Sequence, residues 1–318
     1  MKRRLFAILL LLALGLETAG MAADKPESVV AVGRAVGIEV SCPGLLVVGF
    51  SQDSPARESG VRKGDLIRSV DGTPVRQAAE LREQLQNKSQ VTLTALRKGR
   101  EQSFLVPLGD EEGVKVLGAS VRTEMAGIGT ITYYDPATSV FGALGHGITD
   151  GTGLFPAEKG FLCKATIVSV DRGKSGSPGM LQGAFDSGEL LGSVTKNTPC
   201  GIFGELYGGA EGTLYPVADR EEVEPGPAQI LCNVQGDQVE RFDVEIRRIY
   251  PMEDGSGRNM MLKVTDQALL QRTGGIVQGM SGSPILQNGK IVGAVTHVLV
   301  SDPTTGYGIF IENMLEAA

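Results

Sequence analysis

Tryptophan is absent from this 318-residue chain, which has only two histidines and four cysteines. The cysteines stand far apart with no C-x-x-C pair, so the sequence predicts no zinc site, and no G-x-x-x-x-G-K phosphate loop occurs. We therefore expect neither metal nor cofactor. The net charge of −7, without a Lys/Arg stripe, argues against a nucleic-acid partner. The four cysteines are Cys42, Cys163, Cys200 and Cys232.

The only long apolar run lies at the N-terminus. Lys2, Arg3 and Arg4 precede the run Leu5–Leu16, and the small residues of Gly20-Met21-Ala22 follow it. This pattern is typical of an export signal, and 12 apolar residues fall short of the roughly 20 that span a bilayer. Residues 1–22 are thus predicted to be a signal peptide or an uncleaved membrane anchor, and residues 23–34 a linker. The protein would work outside the cytoplasm, where disulfides are permitted.

Glycine, in contrast, is abundant, with 44 residues beside 15 prolines. Few long helical patterns occur, so the composition predicts a mainly β fold with many turns. With 42% hydrophobic residues the chain is long enough for two domains after its leader.

Residues 35–109 have the features of an α+β domain. The segment Ser59–Val75 resembles the bacterial PDZ signature, and Ala78–Leu85 carries Leu81 and Leu85 on one helical face. PDZ domains bind a peptide as an added strand, with its carboxylate on backbone N–H groups. The tripeptide Val36-Gly37-Ile38 resembles that carboxylate-binding loop, so we expect peptide binding there; the alternative is a domain that only packs against the rest of the chain.

A short acidic linker, Gly109–Gly113, is predicted to precede a second, β-rich domain over residues 113–318. Apolar alternation predicts a series of short strands in this domain. Asn288-Gly289 between two apolar runs predicts a hairpin whose returning strand ends near His297. The predicted strands are Gly127–Tyr133, Ser139–Gly145, Ala165–Val170, Leu190–Thr195, Arg241–Ile246 and Met260–Val264.

The segment Gly279–Pro284 places Ser281 in a tight glycine turn before that hairpin. A serine hydroxyl becomes a nucleophile when an imidazole takes its proton, and flanking glycines expose it while aiming N–H groups at an oxyanion. His146, in a glycine collar 135 residues earlier, is the predicted base, and Gly279 and Ser281 are the predicted backbone oxyanion donors. His297 is predicted to be structural.

A second copy of the G-x-S-G-S-P pattern makes Ser175 a rival nucleophile. It lies only 29 residues after His146 and follows a polar turn, which favours a surface loop. Ser281 leads directly into an apolar strand, which supplies the rigidity that a nucleophile needs.

The segments Thr273–Pro284, Gly293–Val298 and Phe141–Gly147 closely resemble the stage IV sporulation protein B family of serine peptidases. The resemblance spans leader, PDZ domain and peptidase domain in that order. It implies catalytic roles for Ser281, His146 and Asp266. It also implies export into the space between the forespore membranes, self-cleavage, and cleavage of a membrane-bound regulator of an intramembrane protease in sigma-factor activation.

The residues alone do not decide which acid is the third member of this triad. Asp266 also reads as a helix N-cap, and other acids could orient the imidazole. The order His, Asp, Ser is that of chymotrypsin-like enzymes, but Asp266 stands only 15 residues before Ser281, which departs from their usual spacing. The sequence therefore leaves open whether the domain is a standard double barrel. The other acids are Asp150, Asp171, Asp237 and Asp243.

Two other functions fit parts of the pattern. One is a PDZ adaptor with an inactive peptidase-like domain. The presence of both Ser281 and His146 argues against this alternative. The other is a general envelope quality-control protease, although such enzymes place the PDZ domain after the protease. Protein substrates and PDZ peptide ligands, including the chain's own segments, are the expected partners.

Overall fold

Strands dominate the structure, as the glycine-rich and turn-rich sequence predicts. The computed structural model describes residues 25–250 and 257–318, so the predicted leader at 1–22 lies outside the described residues. The expected mainly β fold, with an α+β region before a β-rich region, is confirmed. Each of the four helices in the described ranges is too short or too polar to traverse a bilayer.

The strands and helices follow one another in this order: β1 Ser28–Ala31, β2 Ala35–Phe50, α1 Pro55–Glu58, β3 Leu66–Val70, β4 Thr73–Pro74, α2 Ala78–Leu85, β5 Gln90–Arg97, β6 Arg100–Pro107, β7 Gly109–Glu111, β8 Val114–Val116, β9 Ala119–Tyr134, β10 Val140–Ala143, β11 Lys159–Asp171, β12 Met180–Thr198, β13 Gly201–Leu206, β14 Thr213–Pro216, a 3₁₀ turn Arg220–Glu222, β15 Gly226–Gln235, β16 Gln238–Ile249, β17 Met260–Val264, α3 Gln267–Thr273, β18 Pro284–Gln287, β19 Lys290–Val298, β20 Thr305–Phe310 and α4 Ile311–Ala317.

Two closed rings of six strands organise the molecule. In the first, strands pair in the order β9, β10, β13, β12, β11 and β2, and pairing of β2 with β9 closes the ring. The second is a closed barrel in the order β15, β16, β17, β20, β19 and β18. The sequence did not decide whether a double barrel forms, and the structure shows that it does. Each ring encloses an apolar core, and a third cluster, including Tyr133 and Ile291, packs between them.

The α+β region continues from the first barrel through shared strands. Residues Leu46–Phe50 of β2 pair with the start of β9, and Leu45 and Leu46 pair with β3. Strand β3 then pairs with β5, and β5 pairs with β6. Helix α2 buries Leu81 and Leu85 in the core of this region, as their spacing predicts. Strands β2 and β9, 16 residues each, thus form one ribbon about 50 Å long that runs through both regions.

The structure corrects the predicted PDZ ligand loop. Val36, Gly37 and Ile38 lie inside β2, paired with β9 on one side and with β11 on the other. Both backbone edges are occupied, so no carboxylate-binding loop forms there. A local resemblance to a loop motif cannot reveal this, because both pairing partners lie more than 80 residues away in the chain.

Two predicted linkers also form strands. Within the predicted linker 23–34, β1 pairs with β14 and β9. Gly109–Gly113 lies in a hairpin of β7 and β8, whose turn places Glu112 and Gly113 at positive φ. The chain therefore passes between its two regions through paired strands and tight turns.

Candidate active site

The turn around Ser281 enters β18 of the second barrel. Gly279 and Gly282 both adopt φ of +96°, a left-handed conformation that glycine reaches without strain. A Cβ at Gly282 would overlap the backbone carbonyl of Thr130, so this position also lacks room for a side chain. The glycines thus let the loop turn sharply and approach the first barrel closely.

Strand β9 of the first barrel holds this turn across the seam. The Thr130 hydroxyl donates to the Gly279 carbonyl at 2.8 Å, and the Thr130 N–H donates to the Ser281 carbonyl at 3.0 Å. The Thr132 hydroxyl donates to the Gly282 carbonyl at 2.7 Å. Sequence reasoning missed both threonines, although their i, i+2 spacing on a strand places them on one face.

The predicted oxyanion donors belong to peptide planes with fixed orientation. The Gln278 carbonyl, in the same plane as the Gly279 N–H, accepts from the Leu181 N–H at 2.8 Å. The Met280 carbonyl, in the plane of the Ser281 N–H, accepts from the Ser283 N–H at 3.0 Å. Neither donor has an acceptor among the described residues, and Gly279 and Ser281 both line one cavity. Two N–H groups held in this way suit a developing negative charge.

His146 reaches the same cavity from the first barrel. It follows β10 after Leu144 and Gly145, both at φ of +68°. Its Nδ1 lies 3.0 Å from the Gly147 carbonyl, so an N–H at Nδ1 leaves Nε2 as the acceptor. Burial lowers the pKa of His146 below its usual value, while the Gly147 carbonyl acts in the opposite direction. The lowered pKa favours the neutral ring, which is the form that can accept a proton.

Asn197 of β12 fixes the segment after His146. Its Oδ1 accepts from the Ile148 N–H, and its Nδ2 donates to the carbonyls of Ile148 and Phe155, each at 2.9 Å. The sequence pattern gave no signal for this asparagine, because its partners lie more than 40 residues away.

The second histidine lies beside the first. His297 is near the end of β19, as predicted, and its ring centroid is 5.1 Å from that of His146. Its Nδ1 is buried and has no hydrogen-bond partner among the described residues. Burial, then the neighbouring His146 and Arg258, lower the pKa of His297 to about 4.

The cavity that these groups share has a volume of about 740 Å³. No Asp, Glu, Lys or Arg of the described chain lines it, and most of the wall is apolar. Ile38, from the segment predicted to bind PDZ ligands, is part of that wall. The Ser281 hydroxyl donates to the Thr296 carbonyl at 2.8 Å in this structure, so a rotation about χ1 is needed to direct it elsewhere.

Asp266 occupies the other role that its sequence allows. Its Oδ1 accepts from the Leu269 N–H at 2.9 Å, which caps α3, and its Oδ2 lies 3.4 Å from the Asp243 backbone nitrogen. It does not line the cavity, and no hydrogen bond within the described chain joins it to His146. The structure thus brings together Ser281 and His146 but not Asp266. The alternative acids Asp150, Asp171, Asp237 and Asp243 do not line the cavity either.

The rival serine lies in an exposed turn. The Ser175 hydroxyl donates to the Ser301 carbonyl at 2.9 Å, and a bridge between Lys174 and Ser177 closes the turn. Ser175 does not line the cavity that His146 and His297 share. Within the described ranges no cluster of His, Cys, Asp or Glu is suited to a metal ion.

Two family models match consecutive parts of the chain. The family model described as SpoIVB peptidase S55 matches residues 113–315, and a PDZ domain model matches residues 23–108. The search of curated proteins found no match.

Solved structures with detectable similarity have low sequence identity. The PDZ domain of the SdrC-like protein from Listeria monocytogenes is 22% identical over 26% of this chain and 90% of that chain, with a TM-score of 0.24. The active form of the Rv3671c protease from M. tuberculosis is 16% identical over 62% of this chain and 74% of that chain, with a TM-score of 0.33. Its inactive form is 15% identical over 61% and 82%, with a TM-score of 0.32.

Proposed function

Because the chain belongs to the SpoIVB peptidase S55 family of serine peptidases, we propose that it is an endopeptidase acting outside the cytoplasm on itself and on a membrane-bound regulatory protein. The regulator would control an intramembrane protease in sporulation signalling, and the compartment would be the space between the forespore membranes. The family resemblance supports this substrate and place, and the leader pattern of residues 1–22 supports export. A PDZ domain implies peptide ligands, and a peptidase domain implies protein substrates.

In the proposed reaction, the Ser281 hydroxyl rotates away from Thr296 and its oxygen attacks the scissile carbonyl carbon. The Ser281 proton passes to Nε2 of His146, and the carbonyl electron pair moves onto oxygen, which the Gly279 and Ser281 N–H groups stabilise. His146 then gives the proton to the leaving amine as the C–N bond breaks. Water repeats the sequence on the acyl-enzyme.

One observation carries this proposal above the others: the nucleophile, the base and two orientation-fixed N–H donors meet in a single cavity at the seam of the two barrels. Because the described part of the wall carries no charged side chain, the substrate segment next to the scissile bond is proposed to be apolar.

The two G-x-S-G-S-P copies supply a matched test. We expect Ser281→Ala to abolish labelling by a fluorophosphonate probe and self-cleavage seen by intact mass, since loss of the nucleophile costs about 10⁶-fold in rate. Ser175→Ala is the control and should retain both. Labelling of Ser175, or of neither serine in the folded wild-type protein, would refute the assignment and favour an adaptor.

The regulatory substrate needs a separate test. Co-expression of the full chain with a candidate membrane-bound regulator should yield a truncated regulator, and the Ser281→Ala chain should leave it intact. N-terminal sequencing of the exported protein shows whether residues 1–22 are removed. An intact regulator beside a probe-reactive enzyme would contradict the proposed substrate while leaving the peptidase activity in place.

A further inference from the structure

Among the described residues, no acidic group lines the active-site cavity to assist its histidine. In serine peptidases the base is usually held by a third group, which also stabilises the imidazolium that forms during attack. The carboxylate oxygens of Asp266 face backbone N–H groups at α3 and β16 and not this cavity. Within the described part of the chain, this third function is therefore absent or belongs to a residue other than Asp266.

His297 is the titratable group in contact with the base. Its ring centroid lies 5.1 Å from that of His146, and its Nδ1 is buried with no hydrogen-bond partner in the described ranges. A buried polar atom that lacks a partner is rare in folded proteins and requires a reason. An apolar residue would fill this wall of the cavity without that cost.

We propose that His297, rather than Asp266, is the positioning residue of the catalytic site and acts through His146. In a neutral imidazole one ring nitrogen carries no proton and has a free lone pair. Beside a cation, the tautomer that directs this lone pair at the positive charge is favoured. The Nδ1–H of His146 rests on the Gly147 carbonyl, and the lone pair of His297 stabilises the positive charge when Nε2 receives the Ser281 proton. The inference rests on the proposed peptidase function of Ser281 and His146.

The charges around His297 fit this role. Because its pKa is lowered to about 4, the ring stays neutral at neutral pH, does not repel the His146 imidazolium and does not compete for its proton. Arg258, which contributes to this shift, also disfavours a second cation. The proton taken from Ser281 therefore remains on His146 until it passes to the leaving amine.

An isosteric pair of variants separates positioning from packing. His297→Asn keeps polar atoms in a side chain shaped like leucine, and His297→Leu removes them. If His297 only packs, Leu should be tolerated as well as Asn or better, because burying an unpaired amide costs more than burying an apolar group. Positioning predicts the opposite order. We expect kcat to fall roughly 10²-fold in His297→Leu and about tenfold or less in His297→Asn, with KM within about threefold in both.

The measurements are kcat and KM on an apolar peptide substrate and the melting temperature of each full-length variant. Asp266→Asn is the control, because asparagine also caps helices, and it should keep kcat near the wild-type value. His297→Leu with wild-type kcat, His297→Asn no better than His297→Leu, or a large kcat loss in Asp266→Asn would each overturn the inference. If His297→Leu does not fold, His297→Phe takes its place under the same criteria. Failure of the proposed function is distinguishable, because Ser281 of the wild-type protein would then not react with a fluorophosphonate.

Discussion

At the scale of single residues, the environment of His146 determines how activity depends on pH. A general base must be neutral, so kcat/KM falls as pH drops through its pKa. Burial lowers the pKa of His146, and we expect the midpoint of the acid limb below about 6.5, the usual histidine value. A pH–rate profile of the free enzyme with a small peptide checks this. A midpoint above the usual value would show that a negative charge, absent from the described cavity, faces the ring.

A second prediction at this scale concerns the Asp266 side chain. Its carboxylate caps α3, so Asp266→Ala should reduce the free energy of unfolding by about 1 kcal/mol, a drop in melting temperature of a few degrees. The folded variant should keep its kcat. Thermal melts together with steady-state kinetics measure both quantities, and a folded variant with a large loss of kcat would restore Asp266 to the triad.

Sequence reasoning reached Ser281 and His146 because glycines mark their turns, and local chemistry then suggested their roles. It did not reach Thr130, Thr132 or Asn197, which act through backbone groups more than 40 residues away. For the same reason it assigned His297 to structure alone, since its proximity to His146 arises only when the two barrels meet.

At the scale of elements, Gly37 tests the correction to the predicted ligand loop. A Cβ at this position would overlap the Phe185 ring, so Gly37→Val should destabilise the first barrel by about 1–3 kcal/mol. Gly49→Val in the same strand is the control, because a Cβ there would lie 3.6 Å from the Ser120 Cβ, an ordinary contact. Denaturant unfolding measures both variants. Undiminished stability in Gly37→Val, with only peptide binding lost, would restore the loop assignment.

Short elements with local signals were predicted well. Helix α2 and strand β17 have the predicted bounds, and Asn288-Gly289 joins β18 to β19 with both residues at positive φ. β2 was not predicted, because its first half resembles a PDZ loop motif and its pairing with β9 and β11 is long-range.

At the scale of the whole molecule, the peptidase is incomplete without residues before its family match. Residues 113–318 supply five strands of the first barrel, and the sixth is the β2 segment Ala35–Ser41. Its removal would leave facing edges of β9 and β11 unpaired. We expect the fragment 113–318 to show no cooperative thermal transition and no probe labelling, while 25–318 shows both. A folded, reactive shorter fragment would contradict the shared barrel.

Thr130 and Thr132 anchor the Ser281 turn, so we expect catalytic activity to depend on how closely the two barrels are held together. These hydrogen bonds cross the seam, so a small separation would release the turn while each barrel keeps its own strands. Local and sub-global openings span free energies up to that of global unfolding, and we expect this seam to open before either barrel unfolds. Low concentrations of urea should therefore inactivate the enzyme reversibly before circular dichroism changes. Coincident loss of activity and of strand signal would mean that the barrels separate only by unfolding.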